Sequence, residues 1–135
     1  MAPYGRALAV WVIIMCIEII HGIARGVLLV PLTGDLAARQ IGVGVGSLLI
    51  FVTALLTVNW LRTTSLGQRL MIGIIWVFLT VIFEFLLGYC VVGLTTDRIL
   101  SDYDILHGGF MIFGLLIMAL SPAAAYVMRH NKSTT

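Results

Sequence analysis

The chain is 135 residues long, 61% hydrophobic and 10% charged, with a formal net charge of +2 and a mean hydropathy of +1.11. Soluble domains carry about 25% charged residues, so too few charges are present to solvate a surface or to neutralise phosphates. A water-soluble fold, a disordered chain, a disulfide scaffold and a free nucleic-acid binder are thereby excluded, and an integral membrane protein remains.

A helix needs about 20 mostly apolar residues to cross roughly 30 Å of hydrocarbon. Four stretches meet that requirement in chain order: 8–29, 44–61, 70–94 and 105–128. The first gap carries Pro31, Gly34, Asp35 and Arg39, the second runs from Arg62 to Arg69, and the third from Asp97 to Asp104. These are the turn and charge signals that end apolar helices. The runs are continuously apolar where barrel strands would alternate. The expectation is one domain over 1–135, an all-α membrane protein built as a four-transmembrane-helix bundle. The first run is too long for a signal-peptide core, lacks a small-x-small cleavage site and is interrupted by Glu18, His21 and Arg25, so it reads as a retained helix. The connection 31–40 has room for a short amphipathic turn, with Asp35 and Arg39 as an i, i+4 pair.

Orientation follows from the cations. Arg6, Arg62, Arg69, Arg129 and Lys132 fall at the two chain ends and the second connection, which four crossings place on one side. The other side holds only Arg39 and Arg98, together with Asp35, Asp97, Asp102 and Asp104. The positive-inside rule then predicts cytoplasmic N- and C-termini in a bacterial-type inner (plasma) membrane. Cys16 and Cys90 both lie in apolar segments outside any C-x-x-C pair and read as packing residues.

The candidate site is made of ionisable residues that hydrocarbon disfavours. Glu18, His21 and Arg25 stand at i, i+3 and i+7, forming one stripe on the first helix; Glu84 lies midway along the third. Asp104 and His107 stand at i and i+3 and are expected to open the fourth helix, with Ser101-x-x-Asp104 as its cap. At about 1.5 Å per residue, Arg25 falls roughly 6 Å below the outer end of its helix, His21 about 12 Å, Glu18 about 16 Å and Glu84 about 15 Å, with Asp104 and His107 within about 5 Å of the interface. Two tiers are expected: Arg25 with Asp104 and His107 near the periplasmic surface, and Glu18, His21 and Glu84 near the midplane.

Several chemistries could use these groups. A desolvated carboxylate is costly, which suits it to exchange a proton or hold a cationic solute, with His21 as relay and Arg25 tuning the carboxylates. Binding, and proton-coupled transport, of a small solute is therefore the leading expectation. No cofactor is predicted on this reading. The alternative is a metal- or haem-binding redox component, because Glu-x-x-His on one helix, Asp-x-x-His on another and a lone Glu on a third partly match di-iron bundles. The metal set would be Glu18, His21 and Glu84, and haem would draw His107 to His21. A lipid- or quinone-directed enzyme is a third reading, but no nucleophile elbow, Gly-rich phosphate loop or serine–histidine pair supports it, which weighs against an enzyme. The last is a non-catalytic accessory subunit: Gly22-x-x-x-Gly26 and Gly42-x-x-x-Gly46 permit close helix approach, within the bundle, in a homodimer or in a larger membrane complex.

The opening Met1-Ala2-Pro3-Tyr4 and a glutamate, Glu18, midway along the first of four helices resemble the small multidrug-resistance exporters, and Gly67-Gln68-Arg69-Leu70 is similar to a loop segment of that family. The resemblance implies a carboxylate that binds a proton or a cation. It covers a small part of the chain and the loop follows a different helix. The chain is also longer and adds Arg25, Glu84 and the Asp104/His107 pair.

Overall fold

A computed structural model of the chain describes residues 2–133, with side chains up to His130; Met1 and the Lys132 side chain lie outside the described residues. Among the described residues the fold is all-helical, with four helices long and apolar enough to cross a membrane. They are α1 (Pro3–Thr33), α2 (Asp35–Leu61), α3 (Leu66–Val92) and, after the short α4 (Thr96–Ser101), α5 (Met111–Ser133).

The helices begin and end where local chemistry dictates. Pro3 starts α1 at a position where its missing N–H costs nothing. Ser65 caps α3, its Oγ accepting from Gln68 N at 3.1 Å, while Gln68 Oε1 accepts from Thr64 N at 2.8 Å. Thr95 caps α4 in the same way, accepting from Arg98 N.

Three boundaries differ from the sequence expectation. The connection 31–40 is not a loop: α1 runs through it to Thr33, a single residue, Gly34 at φ 86°, turns the chain, and α2 begins at once with Asp35. Pro31 is accommodated because the preceding turn, Arg25–Leu29, loosens into a π-turn in which Val30 N–H donates to Arg25 O. The fourth long helix starts at Met111 and not near residue 105. Ile105–His107 forms an isolated 3₁₀ turn, and Gly108 at φ 90° and Gly109 separate it from α5. A side chain on Gly109 would collide with Ser101 O and Asp102, so the 93–110 segment folds back on itself only because this residue is glycine.

Around the bundle the neighbours run α1, α2, α5, α3, with α1 and α3 meeting least. The packed core occupies the half nearest the chain ends: Ala7, Val10 and Ile14 of α1 pack with Ala54 and Val58 of α2, Ile72 and Trp76 of α3, and Met118 of α5. That end is tied by cations, with Arg6 Nη1 donating to Trp60 O at 2.9 Å and Arg129 Nη1 to Leu55 O at 2.8 Å, and with the Arg69 guanidinium stacked on Tyr126. Beyond Met15 no described residue of α1 is buried. The opposite half of the bundle is hollow.

Candidate functional site

The hollow half encloses a cavity of about 520 Å³. Glu18, His21 and Arg25 of α1 line it from one side and Glu84 of α3 from another, so four of the six residues singled out in the sequence share one space. The α-helical stretch Pro3–Ala24 turns Glu18 and His21 to the same face, and His21 Nδ1 lies 3.4 Å from Glu18 Oε2. Glu18 Oε1 is buried without a hydrogen-bond partner. Glu84 stands within electrostatic reach of Asp102, Arg25 and Glu18. Among the described residues neither the Arg25 nor the Glu84 side chain has a hydrogen bond or an ion pair.

The α2 face beneath this stripe explains how three long polar side chains fit. A Cβ on Gly42 would come within 2.9 Å of Arg25 Cδ, and one on Gly46 within 2.9 Å of Glu18 Oε2. The Gly42-x-x-x-Gly46 spacing, expected to bring helix backbones together, thus makes a bed for the polar stripe. A Cβ on Gly22 or Gly26 would meet no neighbour within 4 Å.

Asp104 and His107 lie elsewhere. They pair with each other, Oδ2 to Nδ1 at 2.6 Å, on the exposed 3₁₀ turn, and neither lines the cavity. The expected outer tier of Arg25, Asp104 and His107 is therefore not assembled: Arg25 turns inward over Gly42, and the ionisable residue that the 93–110 segment sends to the cavity is Asp102, beside Gly108, Gly109 and Phe110. Among the described residues no three His, Cys, Asp or Glu side chains gather as a metal-holding group, the set Glu18, His21 and Glu84 included.

The sequence reading missed what closes the cavity. Arg39 lines its mouth and donates from Nη1 to Asp102 Oδ1 at 2.6 Å and to Ser101 Oγ at 3.3 Å. Its Nε lies 3.0 Å from Asp35 Oδ2, an ion-pair contact outside hydrogen-bonding angles. Arg98 completes the cluster, 3.4 Å from Asp102 Oδ1 and 3.5 Å from Asp35 Oδ2. Gln40 Nε2 donates to Gly108 O at 3.0 Å beside it. The cluster pins the 93–110 segment across the start of α2. At the other limit of the cavity, Thr80 accepts from Trp11 Nε1 at 3.0 Å and faces Met118 Sδ at 3.3 Å.

Tyr103 stacks on Phe85 with its hydroxyl buried. Burial, then the charges of Glu84 and Asp102, pushes its phenol up from 10.0 to about 12. The neutral phenol therefore contributes stability that is fully present below pH 10.0 and is lost as the pH rises toward about 12. Spectrophotometric titration of the wild type against Tyr103→Phe is expected to show a tyrosine ionising in that window; a difference curve centred at the ordinary tyrosine value would contradict the buried placement.

Comparison with protein-family models, with curated proteins and with solved structures finds no match to this chain.

Proposed function

We propose that the protein binds a small cation at Glu18 and Glu84 in exchange for a proton and carries it across the membrane. Both termini are cytoplasmic in this reading, and the cavity opens toward the opposite, periplasmic side of a bacterial-type inner membrane. The orientation rests on the gathering of Arg6, Arg62, Arg69 and Arg129 at one end of the bundle, against the aspartates of the other.

The observation that carries the reading is the charge balance of the cavity. Arg39 is already engaged by Asp35 and Asp102, which leaves two carboxylates, Glu18 and Glu84, facing one cation, Arg25. One negative charge in excess within hydrocarbon needs a proton or a bound cation. The two compete for the same oxygens, so binding one releases the other. His21, beside Glu18, is the group placed to pass that proton toward the mouth.

The test is proton release. Purified protein in weak buffer is mixed with alkyltrimethylammonium ions, which carry no exchangeable proton. The wild type is expected to release about one proton per bound cation, and Glu18→Gln and Glu84→Gln each to lose most of that release. If both variants release protons like the wild type, the carboxylates are not the exchange site and the reading fails.

A further inference from the structure

Arg25 and Glu84 line one cavity with opposite charges, and they do not meet. Glu84 stands within electrostatic reach of Arg25, yet among the described residues no Arg25 nitrogen lies within 4.0 Å of a carboxylate oxygen. Opposite charges attract far more strongly in hydrocarbon than in water, so a separation that persists there has to be built in. The helices build it. The Arg25 stem is laid on α2, its Cδ against Gly42, whereas Glu84 belongs to α3, the helix diagonally across the bundle from α2.

The α2 wall also sets the order of the charges. Arg25 rests on Gly42 and Glu18 on Gly46, four positions further into the bundle, which is about 6 Å along the helix. The cavity thus presents a cation toward its mouth and a carboxylate about one helical turn deeper. Arg39 lines the mouth as well, but Asp35 and Asp102 already take up its charge. A ligand that carries only a cation answers the carboxylates and leaves Arg25 without an anion. A guanidinium offers a carboxylate two parallel N–H donors, so the missing group is one of the strongest partners that Arg25 can take.

We propose that the cavity also takes zwitterions, small molecules with an ammonium group at one end and a carboxylate several bonds away at the other. The ammonium lies at Glu18 and Glu84, and the carboxylate accepts from Arg25. The ligand thereby bridges charges that the protein holds apart. This rests on the cation-binding reading above and adds an anion subsite and a class of ligand. The proton balance differs between the two classes. A simple cation displaces the proton that neutralises the excess carboxylate. A zwitterion brings no net charge, so the cavity keeps that proton while the ligand is bound.

The test is calorimetric titration of the full chain in lipid nanodiscs, in two buffers of different ionisation enthalpy, with ω-amino acids from glycine to 6-aminohexanoate. Affinity is expected to peak at an intermediate length, because both ends must reach their partners. At that length it should exceed the affinity of the matched alkylamine and the matched alkanoate by about tenfold, the contribution of one charge-assisted pair. Amino-acid binding is expected to release no proton, whereas tetramethylammonium releases protons from the same preparation. Arg25→Gln should weaken the amino acid about tenfold and tighten tetramethylammonium by removing a like charge, and Arg25→Lys should recover part of the amino-acid affinity. The wild-type length series stands whether or not these variants fold. If ω-amino acids of every length bind no better than the matched amines and release protons as they do, the anion subsite is absent while the cation site stands. If amino acids, amines and tetramethylammonium all fail to bind, both proposals fall.

Discussion

Gly73→Ala is expected to be the most damaging single methyl group that can be added to this protein. The added carbon would overlap Ala119 O and crowd the Ala119 carbonyl carbon and Cα, all backbone atoms of α5 that no side-chain rotation can move aside. Two helices that approach this closely must separate to admit it, and the separation unpacks the seam along which Thr80 faces Met118 and Trp76 is fully buried. Overpacking of this kind costs about 3 kcal/mol. In a membrane, where helix association depends on close packing more than on water exclusion, little else offsets it. Gly44→Ala is the matched control, because a Cβ there meets nothing within 4 Å and alanine favours the helix. Thermal unfolding in the same detergent is expected to show a large drop for the first and none for the second; equal midpoints would mean that α3 and α5 do not touch at Gly73.

Arg39→Ala is expected to release the 93–110 segment from the mouth of the cavity. Among the described residues the guanidinium is the one side-chain group that contacts Asp102, Ser101 and Asp35 together, and its removal leaves both aspartates to Arg98. Exposed ion pairs contribute at most about 1 kcal/mol, whereas breaking a buried one costs about 3–5 kcal/mol. Arg39 is 17% and Asp102 37% exposed, so a loss of about 2 kcal/mol is expected, between those limits. Arg39→Lys restores one contact but not the fork, and recovers part of it. Hydrogen exchange localises the effect. Amides of the 93–110 segment, among them Gly109 whose N–H donates to Asp104 O, and the adjoining amide of Met111, which donates to Asp102 O, are expected to exchange faster while those of the packed half do not change. Unchanged exchange there would show that Gln40 and the glycine turns hold the segment without the arginine.

The four apolar runs were legible because hydropathy over about 20 residues is a property of the chain itself. The grouping of Glu18, His21 and Arg25 was legible for a similar reason, since their spacing fixes them on one helix face before any neighbour is known. Their meeting with Glu84 needed only a common depth. Helix ends were harder to read. Pro31 and Gly34 look like a loop, yet one π-turn absorbs the proline and the paired Asp35 and Arg39 let the next helix begin at once. Ser101-x-x-Asp104 followed by an apolar run looks like a helix start, but Gly108 and Gly109 interrupt it, which moves Asp104 and His107 to the outside. The closure of the cavity was not legible at all. Arg39 and Asp102 are 63 positions apart, and no periodicity links them. The role of Gly42 and Gly46 as a bed for long side chains also depends on which neighbour they face, and spacing does not report that.

The connections themselves set a mechanical asymmetry. Gly34 alone joins α1 to α2, so at the end where the cavity opens those two helices behave as one hairpin with almost no slack. The opposite pair, α3 and α5, is joined there by the long folded segment that Arg39 clips in place. A movement that swings α3 away from this hairpin would widen the end. The hairpin carries Glu18, His21 and Arg25, and α3 carries Glu84. Such a movement would draw the two carboxylates apart and bring them together again, changing the space between them.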